Sequence, residues 1–362
     1  MVGIPQQPIP NFVVPVYKRI QSIASNTNNG ILKVVVHDGT FHTDDVLCVA
    51  FLRKAIFDYL KLLHSTGEGF RSAQLHSVNV RRTREEAVMR TAHFVLDVGC
   101  EDRVDSHSIR FDHHQKVDSP DTYPNGIKMA ACGKLAKWLY EDVDPTYYEL
   151  LRDKLLYSVE AIDNGQTLED FEFRLPMSPF GFVSYCNPRQ HETAGLGSRA
   201  IRAYEDECFE HAVDMAIRVL ARFDASYNQV DFDRQTLASA LERYNGKGHL
   251  KLNSHIAMQI VVEENDARIA NGQDDSKVLL VSFPSSDSSR YMLQVVPKET
   301  GSFDSWIKLP KEWRGLRGAD LNQATGTLGG VFVHPAGFIG SWDSKTTTYL
   351  VAEAALKRMD TD

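Results

Sequence analysis

The feature that most restricts this chain is a junction between an apolar run and a polar one. Ile31-Leu-Lys-Val-Val-Val36, rich in β-branched residues, ends directly on His37-Asp-Gly-Thr-Phe-His42-Thr-Asp44-Asp45. The first run does not alternate, so it reads as a strand buried on both faces, as in a parallel sheet. Residues 45–63 are then apolar nearly all round at helical length, with Asp44 or Asp45 placed to cap them. A second strand at 74–80, a helical turn or two at 84–90 and a third strand at 94–98 continue the alternation. Strands alternating with helices predict a parallel, doubly wound α/β sheet.

Further along, helical periodicity covers 130–140 and 145–162, where Tyr148, Leu151, Leu155, Leu156, Val159 and Ile162 share one face. Residues 165–198 read as loop, and a third helix is expected over 199–223. Asn245-Gly-Lys-Gly248 reads as a linker. Beyond it, strands are expected at 256–262, 278–282 and 291–296, then a Gly-rich segment at 326–340 and a closing helix at 346–359. A length of 362 residues exceeds the usual reach of one core. The expected division is an N-terminal extension (1–30), an α/β domain (31–245) and a smaller sheet-containing domain (246–362) facing the edge where ligands bind.

Composition excludes several classes. With 18 Phe, 13 Tyr and 4 Trp, the chain has the apolar surface to fold. No run approaches 18 uninterrupted apolar residues, so no membrane span is expected. Acidic residues outnumber basic ones by 48 to 40, which argues against non-specific coating of duplex DNA but leaves room for a local groove holding a single strand. The five cysteines lie at least 22 residues apart, suggesting neither a zinc site nor a disulfide framework, and hence no disulfide-linked partner. That usage fits a reducing compartment, cytoplasm or nucleus. The first acidic residue is Asp38, a composition also met in mitochondrial transit peptides, although Lys18 and Arg19 are the only basic groups before it apart from Lys33. No pattern sets an oligomeric state.

Four polar clusters follow elements of the first domain: the 37–45 stretch, Asp97 after its apolar run, Asp112-His113-His114 after Ile109-Arg-Phe111, and Asp163 at a helix end. In open α/β sheets, ligands bind beyond the carboxyl ends of the strands. Imidazole and carboxylate without thiolate favour Mn²⁺, Mg²⁺, Zn²⁺ or Fe. Two such ions, held roughly 3.5–4 Å apart, can activate water and stabilise an in-line phosphoryl displacement.

Strand-H-x4-H-x-D, a strand-ending Asp, Asp-His-His and a later Asp together resemble the DHH phosphoesterase superfamily. The local phrases are similar to one branch, the melanocyte-proliferating-gene family: residues 37–45, Phe111-Asp-His-His-Gln115, Ala161-Ile-Asp-Asn-Gly165, Val296-Pro-Lys298, Leu309-Pro-Lys-Glu-Trp-Arg-Gly-Leu-Arg317 and the stretch 329–340. The likeness spans residues 31 to about 355 and implies a DHH-type catalytic domain with a smaller α/β domain across a cleft. It implies two divalent ions, Mn²⁺ before Mg²⁺. His37, His42 and Asp97 would hold one; Asp44, Asp97, His113 and Asp163 the other. Asp112 would orient His113, and His114 would touch the scissile phosphate. His334, Gly337, Arg314 and Arg317 would grip substrate. The implied activity is 3′–5′ exonucleolytic hydrolysis of RNA or short oligonucleotides by a metal-bound hydroxide. Alternatives are hydrolysis of pyrophosphate or a dinucleotide, and a non-catalytic metal-binding scaffold. The chain departs from the family in having Asp45 where Glu is usual, and Ser341 where a second Gly is usual.

Plainer roles compete for several residues. His334 closes an apolar run, as a core histidine would, and Arg314 and Arg317 suit a solvated loop. Arg81, Arg82 and Arg84 either line a nucleic-acid path or form a solvated face. Trp306, Trp313 and Trp342 suit base stacking, with core packing expected for at least two.

Overall fold

Residues 10–359, apart from 26, 28, 69–72, 116–119, 167–182 and 303, are described by a computed structural model. It falls into two units, Met1–Tyr227 and Asn228–Asp362. The first contains α1 (Val13–Ile23), β1 (Ile31–Val36), α2 (Thr43–Ser65), β2 (Ser77–Arg82), α3 (Glu86–Met89), β3 (Phe94–Leu96), β4 (Arg103–Val104) and β5 (Ile109–Phe111). It continues with α4 (Ala131–Tyr140), α5 (Pro145–Leu151), a π turn (Arg152–Leu156), α6 (Tyr157–Asp163), α7 (Val183–Cys186), α8 (Gln190–Thr193) and the start of α9 (Ser198–Leu241).

Strand order in the first sheet is β2-β1-β3-β5-β4, with β4 antiparallel to β5 at the edge and the other pairs parallel. Parallel pairing of β1, β3 and β5 brings their carboxyl ends side by side. The Asp97 amide donates to the Phe111 carbonyl at 2.9 Å, tying the ends of β3 and β5 together. Helix α2 has no polar stripe because it is wrapped; every residue from Asp44 to Leu52 is buried.

Several expectations need correction. The N-terminal residues are not a bare extension: α1 buries Val13, Val16, Tyr17, Ile20 and Ile23 in the main core, following its helical apolar spacing. Residues 1–9 lie outside the described residues. Helix α2 begins at Thr43, and its N-cap is His42 rather than Asp44 or Asp45. Ile162 does not join the buried face of Tyr148, Leu151, Leu155, Leu156 and Val159; it is 68% exposed. The π turn carries one extra residue, setting later positions back by roughly 100°. Helix α9 does not stop at 223, because Asp224 is buried, accepts from the Tyr147 hydroxyl at 2.7 Å and pairs with Lys54. Of the expected loop, 167–182 lies outside the described residues, and the rest carries the short helices α7 and α8.

The second unit contains the end of α9, β6 (His249–Lys251), α10 (Met258–Ala270), β7 (Leu280–Pro284), β8 (Tyr291–Val295), α11 (Gly318–Thr325), β9 (Gly330–Val333), β10 (Ile339–Trp342) and α12 (Lys345–Met359). Its sheet runs β6-β7-β8-β10-β9; β6 and β7 are parallel and the other pairs antiparallel. The expected strand at 256–262 is the start of α10. Its β-branched residues Ile260, Val261 and Val262 are buried, and Asn265 further along exchanges two 2.8 Å hydrogen bonds with the backbone of Val278. The Gly-rich stretch supplies β9 and the first half of β10, and Ser341 and Trp342 are buried strand residues. The boundary between units falls inside α9, after Tyr227, rather than at 245–248, and beyond it Leu237 and Ala240 pack with Leu250, Ile256 and Val261.

Candidate metal centre

All four polar clusters of the first unit meet at the carboxyl edge of its sheet. His37 follows β1, Asp97 follows β3, Asp112 follows β5, and Asp163 ends α6. Oxygen and nitrogen atoms of His37, His42 and Asp97 lie within 4.8 Å of one another, as do those of Asp44, His113 and Asp163. Asp97 joins the two groups: its carboxylate is 3.4 Å from His37 Nε2 and 3.9 Å from His113 Nδ1. It sits at a positive φ of 55°, which turns the chain sharply at the strand end.

The polar accounting at this edge does not close. Both oxygens of Asp97, Oδ2 of Asp45 and Nδ1 of His113 are buried without a hydrogen bond. His37 Nδ1 donates to the Asp38 carbonyl at 3.0 Å, leaving Nε2 as a lone pair aimed at Asp97 and, 3.5 Å away, Asp45. A lone pair facing a carboxylate is repulsive unless a proton or a metal cation lies between them, and with the other unsatisfied groups here these residues fit divalent ions. Burial and then Asp45, Asp163 and Asp112 push the Asp97 carboxyl up to about 9. Burial and Asp44 raise Asp163 to about 7, and burial raises Asp45 to about 6. Burial and Asp97 hold Asp44 well above the carboxylate range, against amide donation from Cys132. Burial and His114 lower His113 to about 4, so its imidazole is neutral near pH 7.

Asp112 orients His114 rather than His113. Its Oδ1 accepts His114 Nδ1–H at 2.7 Å, together with the amides of His113 and His114, while Oδ2 accepts the Cys100 amide. These donors hold its pKa down although burial pushes it up. His114 is half-exposed and lines a cavity of about 340 Å³ with His42, His113, Asp163, Phe41, Thr43, Val159, Ile162 and Ser184.

Some supporting residues are not apparent as such in the sequence. Lys134 donates to the Asp112 carbonyl at 2.8 Å and pairs with Asp102, whose other oxygen accepts the Asp112 amide. Asp44 accepts the Ala131 and Cys132 amides, and buried Glu160 accepts that of Ala130. Gly133 makes room for Glu160, since a Cβ there would meet its carboxylate at 1.8 Å. Arg82 is not on a nucleic-acid path: it is buried between Phe41 and Phe209 and donates to the Gly39 carbonyl, bracing the 37–42 turn. Arg84 is exposed and pairs with Asp38. The signal for Arg82 is an arginine at the end of a strand beside β1; the rest depends on contacts far apart in sequence.

In the second unit, His334, Gly337 and Arg314 surround the β9–β10 turn. His334 is exposed and accepts the Ala336 amide, so it is not a core residue. Gly337 has φ 71°, and a Cβ there would lie 2.6 Å from Arg314 Nε, which donates to Leu309. Arg317 stacks over Phe332 at 5.7 Å. Trp313 and Trp342 are fully buried, whereas Trp306 is partly exposed beside Lys277 and Lys298.

Residues 33–356 match the MYG1 exonuclease family model, described as an uncharacterised protein family (UPF0160). The mouse MYG1 exonuclease is 26% identical over 362 residues, covering 90% of this chain and 84% of its own. The human MYG1 exonuclease is 26% identical over 357 residues, covering 90% and 85%. The MYG1 protein of Chlamydia trachomatis is 26% identical over 326 residues, covering 90% and 96%. The crystal structure of RecJ from Thermus thermophilus in complex with Mn²⁺ aligns at a TM-score of 0.27 and 11% identity, covering 98% of this chain and 56% of that one. Among the described residues no helix is long and apolar enough to cross a membrane, and none of the five cysteines forms a disulfide.

Proposed function

Since this chain belongs to the MYG1 exonuclease family, we propose that it is a metal-dependent exonuclease that shortens RNA or short oligonucleotides from the 3′ end. In this reading the first unit is a DHH-phosphoesterase catalytic domain holding two divalent ions, Mn²⁺ before Mg²⁺. The observation that carries it is Asp97, buried between two ligand groups with neither carboxyl oxygen hydrogen-bonded. Ionised there without a counter-ion it would cost several kcal/mol, and a divalent ion would supply that counter-charge.

His37, His42 and Asp97 would hold one ion; Asp44, Asp97, His113 and Asp163 the other. Bound there, the pair would supply Lewis-acid polarisation of the phosphate and an acidified water. The remaining chemistry belongs to the chain. Asp112 orients His114 by taking its Nδ1–H, which leaves Nε2 facing the reacting phosphate, and a second proton there would let it donate to the phosphate oxygen. His334, Gly337, Arg314 and Arg317 would bind substrate phosphate; Gly337 permits close backbone approach.

The test offers purified protein and Mn²⁺ with end-labelled RNA, DNA, a dinucleotide and pyrophosphate, beside Asp97→Asn. The expected result is RNA shortened from its 3′ end, and nothing from the variant. Turnover of pyrophosphate alone would replace this reading with a small-phosphate hydrolase. Metal binding without turnover of any substrate would replace it with a scaffold.

A further inference from the structure

The cavity beside the metal centre has two kinds of wall. His42, His113, His114 and Asp163 supply polar groups, while Phe41, Val159 and Ile162 supply apolar ones. Phe41 and Val159 are buried in the core, so Ile162, at 68% exposure, is the apolar group presented most fully. It lies in the last turn of α6, just beyond the buried residues Ser158, Val159, Glu160 and Ala161. The next residue, Asp163, reaches His113 Nε2 at 3.2 Å. One helix end thus places an apolar group and a metal-ligand candidate in consecutive positions.

A nucleotide has the matching division, an anionic phosphate joined to a flat apolar-faced base. The cavity, about 340 Å³, is within the range of small-ligand sites. We propose that Ile162 is the base-contacting residue of the active-site cavity, holding the 3′-terminal nucleobase while its phosphate sits at the metal edge. This rests on the exonuclease reading and adds a substrate feature to it, recognition of the base rather than of phosphate alone. An aliphatic side chain offers no hydrogen bond, so the contact is tolerant of base identity and sensitive to the base being present.

The test uses two RNAs of one sequence, one ending in an ordinary 3′ nucleotide and the other in an abasic one. On the first, Ile162→Ala should raise KM about tenfold with kcat within about twofold, as expected when one hydrophobic contact is equally strong in ground and transition states. On the abasic RNA, Ile162→Ala and the unaltered enzyme should behave alike. Ile162→Leu should restore KM on the first RNA. Because Ile162 is exposed, the variants should keep the Mn²⁺ content and thermal midpoint of the parent. The same factor on both RNAs, or no change on the base-ended RNA, overturns the inference while the exonuclease reading stands. If the unaltered enzyme cleaves neither RNA, the exonuclease reading fails and this inference falls with it.

Discussion

Asp97 lacks a hydrogen bond on either oxygen, although it is almost wholly buried. Without metal it is an energetic burden, and with metal it is a bridge, so Asp97→Asn should separate the two states. The metal-free variant should melt no lower than the metal-free parent, since the amide removes a buried acid. Its shift in melting temperature on adding Mn²⁺ should fall to near zero, and its activity should be lost. A variant that still binds two Mn²⁺ by metal analysis would remove Asp97 from the bridging role. His114 is the opposite case. It is half-exposed, and its Nδ1 is occupied by Asp112. His114→Ala should therefore retain both metals while kcat falls about 10²–10³-fold, the usual cost of deleting one transition-state contact. Loss of a metal from that variant would make His114 a ligand, consistent with its Nδ1 lying 3.5 Å from Asp97.

At the scale of elements, what could be read in advance was what local sequence controls. β1, β3 and β5 were legible because apolar runs give way to polar clusters at their ends, and parallel pairing then sets those ends together. Six metal-ligand candidates from four segments meet there for that reason. Elements decided by distant partners were not legible. The β-branched start of α10 looks like a strand until Asn265 finds Val278. The π turn leaves no clear mark in Arg152-Asp-Lys-Leu-Leu156, and the exposure of Ile162 at the end of the helix that follows was not legible either. The continuation of α9 past Phe223 depends on Lys54, 170 residues before Asp224. That dependence is testable. Asp224→Ala leaves Lys54 buried with only Asp58, and removes the acceptor of the Tyr147 hydroxyl. Breaking a buried pair typically costs about 3–5 kcal/mol. The remaining Asp58 contact should keep the loss to about 2–4 kcal/mol, seen as a lower denaturant midpoint with the metal-binding stoichiometry intact. A change below about 0.5 kcal/mol, the scale of an ordinary surface substitution, would show that the cluster does not fix α9.

For the molecule as a whole, the metal edge couples stability to pH. Without metal, the folded chain holds protons on Asp45, Asp163 and Asp97 up to about pH 6, 7 and 9, whereas an ordinary carboxyl releases its proton near 3.8. Over that interval the unfolded chain binds fewer protons than the folded one, so stability from these groups is full below about pH 4 and is lost as pH rises. His113, lowered to about 4, works the other way: the unfolded imidazole still binds a proton up to about pH 6.5, so this group adds stability as pH rises to there and offsets part of the loss. Metal binding reverses the slope. At pH 5.5 an incoming ion must displace the protons of its ligands Asp163 and Asp97, and Asp44 is raised as well; by pH 8.5 Asp163 has released its own, while Asp97 still holds one for most of the time. Apparent metal affinity should therefore rise with pH, and proton release on binding should shrink. Melting curves from pH 5.5 to 8.5 should show the metal-free protein losing stability while the increment from excess Mn²⁺ grows. Asp97→Asn should flatten both trends, because its side chain has no proton to give. An Mn²⁺ increment that is constant across this range would mean that the buried carboxylates are not the ligands.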